Sequence, residues 1–184
     1  MMVPIDFNSL PIKARADLLR LSELVAGIVP VETNAWKFAT NQLQPGSELP
    51  AIVFDVAQWA AKGNIYLYVI RLVTEDVDLS AVEDTFLAAK AKKDGRAYPR
   101  LNGQSRCFYV GSSRYMRQRL KDHLGYGAIG TYGLHLAHWA NHFPLELEFM
   151  CGKIQAGYDP KVYQLLEDAL WDELLPMFGR KGAK

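Results

Sequence analysis

The sequence predicts an α/β (α+β) protein in which residues 61–184 form a small three-stranded mixed sheet flanked by helices, preceded by a helical extension at 1–60. Three observations carry this expectation. The run IYLYVIRLV at 65–73 is β-branched and aromatic, and alternates Tyr66, Tyr68 and Ile70 with Leu67, Val69 and Arg71, the period of a strand. Two later runs, SRCFYVG at 105–111 and PLELEFMCGKI at 144–154, have the same strand character. Between and after them, apolar residues recur every three to four positions, as on a helix that buries one face.

Each element has its own local justification. After Pro11, a helix carries Ala14, Leu18, Leu21 and Val25 on one stripe and stops at 27–30, where glycine and proline punctuate the chain. A weaker helical stripe aligns Trp36, Ala39 and Leu43, with Phe38 off it, and QPGSELP follows as a loop. AIVFDVAQWAAKG is compatible with strand or helix and is assigned as a helix stopped by Gly63. Beyond the first strand come a helix at 79–93, the basic loop GRAYPRLNGQS, the second strand and a short basic helix at 115–124. The glycine-rich loop GYGAIGTYG then leads to a helix at 134–142 and the third strand. A final helix at 160–175 turns Val162, Leu165, Leu166, Ala169, Leu170 and Leu174 inward. No internal repeat or low-complexity tract is visible.

A chain of 184 residues, about half of them apolar, can bury a core without disulfide or metal staples. Cys107 and Cys151 sit in apolar strand runs and are expected as reduced core thiols. No apolar run approaches the ~20 residues that span a bilayer, and the beginning MMVPIDFNSLPIKAR lacks the charged-then-apolar order of a signal peptide. The expectation is a soluble, cytoplasmic protein with no membrane partner. Net charge is +1, but acids dominate from Glu48 to Asp84 and bases from Lys90 to Lys121, a segregation that suits binding of a polyanion on one face.

The densest basic stretch, FYVGSSRYMRQRLKDH at 108–123, runs from an apolar strand through Gly111 into a helix with Arg114, Arg117, Arg119, Lys121 and His123. With LYVIRL at 67–72, it resembles the GIY-YIG nuclease family, over roughly residue 65 to the end. Tyr109, Val110 and Gly111 match the second half-motif, with Arg119 eight residues after the glycine and His123 one helical turn further. Tyr68 is taken as the tyrosine of the first half-motif, which puts Tyr66 where the family has its first glycine; a register two residues earlier, on Asn64 to Tyr66, keeps the same strand face. Glu167, in LLEDALWDELLP, stands where the family places its metal-binding glutamate. Gly179 stands where the family often has an asparagine.

The resemblance implies a metal-dependent endonuclease that hydrolyses phosphodiester bonds in DNA. Glu167 would hold one Mg2+ or Mn2+, a hard cation that takes oxygen ligands, with waters and phosphate oxygens completing its shell. Arg119 would bind the phosphate. Tyr68 would be the general base, helped by a nearby cation because a free phenol titrates near ~10, while Tyr109 and His123 position the water or phosphate and share the proton. The nucleic acid would lie on Arg96, Arg100, Arg106, Arg114, Arg117 and Lys121, with Tyr98 and Asn102 interleaved. Gly111 is expected to let the strand turn sharply into the helix. The five catalytic residues should converge on one concave surface, and Asp168, about 100° around the helix from Glu167, should lie off it.

Two other readings compete. On the same scaffold, a chain that has lost catalysis could bind nucleic acid or protein, as Tyr66 and Gly179 suggest. His135, His138 and His142 fall on one expected helix stripe, but no carboxylate or cysteine is placed to complete a zinc site. The other reading is an unrelated small-molecule enzyme using GYGAIGTYG, although that stretch lacks the strand-to-helix context of a nucleotide site.

Overall fold

The computed structural model describes residues 10–30 and 32–182. Residues 1–9 and 31 of the expected extension lie outside them. In chain order the elements are α1 (Leu10–Ala26), β1 (Glu32–Ala39), α2 (Ala51–Trp59), β2 (Asn64–Leu72), α3 (Leu79–Ala91), β3 (Cys107–Ser113), α4 (Met116–Leu124), β4 (Glu146–Gln155) and α5 (Pro160–Leu174). Among the described residues the fold is α+β, with five α-helices and a four-stranded sheet in the order β1-β4-β2-β3.

The sheet corrects the expectation twice: it has four strands, and every neighbouring pair is antiparallel. The extra strand is β1, expected as helix from the spacing of Trp36, Ala39 and Leu43. The decisive period was two, because Trp36 and Phe38 both point to the core and lie opposite Phe149 and Leu147 of β4, while Lys37 between them faces out. Residues 32–60 therefore supply a strand of the sheet and a helix of its core. A mixed sheet needs at least one parallel pair; residues 92–106 instead carry the chain back, so that β3 runs against β2.

A third correction concerns 134–142, which forms two short 3₁₀ turns, Leu136–His138 and Ala140–His142. Leu134, Leu136, Ala137, Trp139 and Ala140 are all buried, so the segment has no solvent stripe to define a helix. His135 takes a left-handed φ of 53°, and the Trp139 indole N–H donates to the Leu134 carbonyl at 2.7 Å. The three histidines do not share a face: His135 is buried, His138 meets the Gly125 carbonyl at 3.0 Å, and His142 is exposed.

One face of the sheet carries Tyr66, Tyr68, Ile70, Leu147, Phe149 and Tyr109, packed against α2, α3 and α4. On the other, Val69, Cys107 and Val110 meet Leu170, Trp171 and Leu174 of α5, and Ile65 and Ile154 meet Tyr163. α1 lies against α5, where Arg20 pairs with Asp159 at 3.0 Å. Asp159 also caps α5, accepting from the Lys161 amide at 3.0 Å, with Pro160 at the first helical position.

Two local features position the site. α4 ends on Gly125, whose φ of 96° closes the helix through its amide to the Lys121 carbonyl at 3.0 Å. Beyond α5 the chain folds back beside β3: the amides of Met177 and Phe178 donate to the carbonyls of Cys107 and Phe108 at 2.7 and 3.0 Å, and Gly179 donates to Arg100 at 2.9 Å. This blunts the β3 edge and brings Arg180 and Lys181 beside it.

Candidate functional site

The site begins with a glycine inside a strand. Tyr68 on β2 is the register partner of Gly111 on β3. A Cβ at Gly111 would stand 2.6 Å from the Tyr68 hydroxyl oxygen and 2.7 Å from its Cζ. Gly111 lies within β3, which continues to Ser113, so the glycine makes room for the phenol and does not turn the chain as expected. With that room, the Tyr68 and Tyr109 rings lie nearly parallel, 8° apart in plane and 6.1 Å between centroids.

α4 then lays Arg119 and His123, one turn apart, against the two phenols. Arg119 Nε donates to the Tyr68 hydroxyl at 2.7 Å, one Nη donates to the Tyr109 hydroxyl at 2.9 Å, and the other donates to the Tyr132 carbonyl. His123 Nε2 lies 3.0 Å from the Tyr68 hydroxyl, and its Nδ1 accepts from the Leu134 amide at 3.3 Å. That amide assigns the tautomer: a neutral ring accepting at Nδ1 carries its proton on Nε2 and donates it to Tyr68. The Tyr68 oxygen thus receives two N–H donors.

Burial and charge oppose each other here. Tyr68 is 1% exposed, and burial pushes its phenol above the ordinary tyrosine value while Arg119 pulls it back. Tyr109 is raised for the same reason, again with Arg119 opposing. Burial works to discharge Arg119, while its interactions with the oxygens of Tyr68 and Tyr109 oppose this and hold the guanidinium above its ordinary value, so it stays a cation.

Glu167 arrives from a different direction. Its helix, α5, covers the face of the sheet opposite Tyr68 and Arg119, but β3 is the edge strand, and a cleft of about 680 Å³ runs along that edge. Tyr109, Ser112, Tyr132, Gln164, Glu167 and Arg180 line it. Glu167 is half-buried and accepts from the Ser112 hydroxyl at 2.5 Å. The five expected residues therefore do not share one concave surface: Tyr109 and Glu167 are in the wall of the cleft at the sheet edge, whereas Tyr68, Arg119 and His123 are not. Among the described residues no group of three or more His, Cys, Asp or Glu is placed to hold a metal. A half-buried carboxylate on a roomy cleft suits the way Mg2+ binds, through one or two carboxylates with waters retained.

The expected nucleic-acid residues divide into three sets. Arg96 is folded onto Asp94 at 2.5 Å, and Arg106 donates to the carbonyls of Leu72, Val73 and Thr74, closing the end of β2. Arg100 is exposed and shares a pocket with Arg180 and Lys181. Arg114, Arg117 and Lys121 line a separate pocket with Lys62. Asp168, expected off the site, accepts from Gln164 Nε2 at 2.9 Å and from the Gly182 amide at 3.1 Å, holding the chain end over the cleft.

Sequence reasoning missed Ser112, Tyr132 and Arg180. Strand alternation from Val110 puts Ser112 on the face toward α5, the one cue available for it. Tyr132 acts through its carbonyl, which no residue type reveals, and Arg180 depends on the path of the chain end. A comparison with protein families, curated proteins and solved structures returns no match for this chain.

Proposed function

We propose that this protein is a divalent-metal-dependent endonuclease with a GIY-YIG-like domain, hydrolysing phosphodiester bonds in DNA. The observation that supports it best is the fork of Arg119 on the hydroxyls of Tyr68 and Tyr109, with His123 on Tyr68. Such a cluster holds phenol oxygens in fixed positions beside a permanent cation, an arrangement with little value for core packing and clear value for moving a proton near a phosphate.

Roles follow from position. Tyr109 lines the cleft and Tyr68 does not, so the Tyr109 oxygen, deprotonated and stabilised by the Arg119 guanidinium, accepts the proton of the attacking water, and Tyr68 behind it holds Arg119 and His123 in place. Three of the five guanidinium N–H donors of Arg119 are spent on Tyr68, Tyr109 and Tyr132. Its charge acts on the phosphate across Tyr109, and Arg180 at the cleft mouth adds a second cation. Glu167 would hold Mg2+ or Mn2+, which supplies charge against the phosphate and acidifies a bound water. Ser112 orients the carboxylate that does so.

A second reading, a catalytically degenerate scaffold that only binds nucleic acid or protein, is favoured by Gly179. Its φ is 115°, and a Cβ there would meet Trp171 and Tyr109 carbons at 3.1 Å, so no asparagine fits without local change. A gel assay decides between the two, with purified protein, plasmid, single-stranded DNA and RNA in Mg2+, Mn2+ or chelator. Metal-dependent cleavage is expected. Absence of hydrolysis under every condition, with binding retained, would establish the degenerate scaffold.

A further inference from the structure

The pocket on the far side of α4 has chemistry that the proposed hydrolysis does not use. Packing of α2 on α4 brings Lys62, just beyond α2, to Arg114, Arg117 and Lys121, and together they line a depression of about 390 Å³ with Ala57, Tyr115 and Gln118. No carboxylate lines it, and none of the four cations forms an ion pair among the described residues. Four unpaired like charges cost stability by mutual repulsion unless an anion joins them.

Two aromatic rings stand among these charges where packing has no use for them. Tyr115 is 76% exposed, although its backbone is well fixed, its amide donating to Ser113 Oγ at 3.0 Å and its carbonyl accepting from Arg119 at 2.9 Å. Phe54, on α2, is 54% exposed, and the Arg117 guanidinium lies over its ring at 6.0 Å. A flat ring on a rigid backbone beside a stacked guanidinium offers two π faces next to phosphate-binding charges. Duplex DNA keeps its base faces covered by stacking, so it could use the charges and leave the rings idle. A strand with unpaired bases uses both.

We propose that α2 and α4 form a binding surface for single-stranded nucleic acid, in which Lys62, Arg114, Arg117 and Lys121 take the phosphates while unpaired bases stack on Tyr115 and on the Phe54–Arg117 pair. The inference rests on the reading that the partner is a nucleic acid, and it gives residues 51–62 a part in holding it.

The test is fluorescence anisotropy of the full chain with labelled oligothymidylate and with a duplex of equal charge, in chelator so that cleavage plays no part. Tyr115→Ala should weaken the single strand by about ten-fold while leaving the duplex unchanged, and Tyr115→Trp should restore it. Lys62→Ala should weaken both and lower the salt slope by about one counterion. Equal loss for both nucleic acids, no loss with Tyr115→Ala, or displacement by polyglutamate as effective as by oligothymidylate would overturn the proposal, the last marking a site for acidic protein. Because binding is read without metal, stacking that depends on Tyr115 in a protein that never cleaves would refute the hydrolase reading alone.

Discussion

Replacing Gly111 with alanine adds one methyl group where the structure has no room for it. The new Cβ would approach the Tyr68 hydroxyl oxygen at 2.6 Å, Cζ at 2.7 Å and Tyr109 Cε1 at 3.0 Å. Tyr68 cannot swing aside cheaply, since its hydroxyl is held by Arg119 at 2.7 Å and His123 at 3.0 Å. Overpacking of a core costs about 1–3 kcal/mol, and a lost hydrogen bond to a charged group costs about 1.5–3 kcal/mol. The second cost applies if the ring moves and replaces much of the first, so about 2–3 kcal/mol of total loss is expected. For a chain of this size each kcal/mol lowers Tm by about 2–4 °C, which puts the shift at roughly 4–12 °C. Gly152→Ala is the control: Gly152 lies on β4 of the same sheet, and a Cβ there meets nothing within 4 Å. Alanine at 152 should be neutral, or stabilise by up to about 1 kcal/mol through the unfolded chain. Thermal and urea unfolding of both variants provides the measurement. Equal behaviour of the two would show that Gly111 is not kept small by Tyr68, and the packing of the site would need another explanation.

Glu167→Gln should abolish metal-dependent cleavage with folding retained, and Arg119→Ala should slow it by about a hundred- to a thousand-fold, the usual loss for a preorganised charge contact; normal cleavage by Glu167→Gln would put the metal elsewhere. Tyr109→Phe should cost about a hundred-fold or more in rate with a small change in stability. Tyr68→Phe should lower stability by about 1–3 kcal/mol, because it strands the buried Arg119 and His123 donors; the reverse pattern would place Tyr68 at the water. Alkaline stability tests the core thiols: burial pushes Cys107 from an ordinary 9.0 up to about 12 and also raises Cys151. Their stabilisation is complete below pH 9 and declines as pH rises toward 12, by about 1.4 kcal/mol per pH unit for each group. Urea midpoints should therefore fall through that range, less steeply in Cys107→Ala; equal slopes would mean that the thiol is not desolvated.

Much of the core and part of the site were legible from local pattern. The alternation of β2, β3 and β4 and part of the apolar stripe of α5 follow from periods of two and 3.6, which depend on near neighbours alone, although Leu165 and Ala169, expected inward, are exposed. Tyr109, Arg119 and His123 could be grouped for the same reason, because a strand end and one turn of the following helix leave few arrangements. β1 was misread because Trp36, Ala39 and Leu43 also satisfy a helical spacing, and only pairing with β4 selects between the two periods. The segment 134–142 was misread because burial of nearly every residue from Leu134 to Ala140 erases periodicity.

Sequence by itself thus determined the strands from β2 onward, the basic character of α4 and the proximity of Arg119 to His123, all set by short-range geometry. Tertiary structure alone decided that Gly111 is a space for Tyr68, that Arg106 is spent on carbonyls at the end of β2, and that Glu167 reaches the cleft around the β3 edge. Only in the fold, too, do Lys62 and Phe54 stand beside Arg117. These contacts join residues far apart in the chain, and their energies depend on distances of a few tenths of an ångström that no residue spacing encodes.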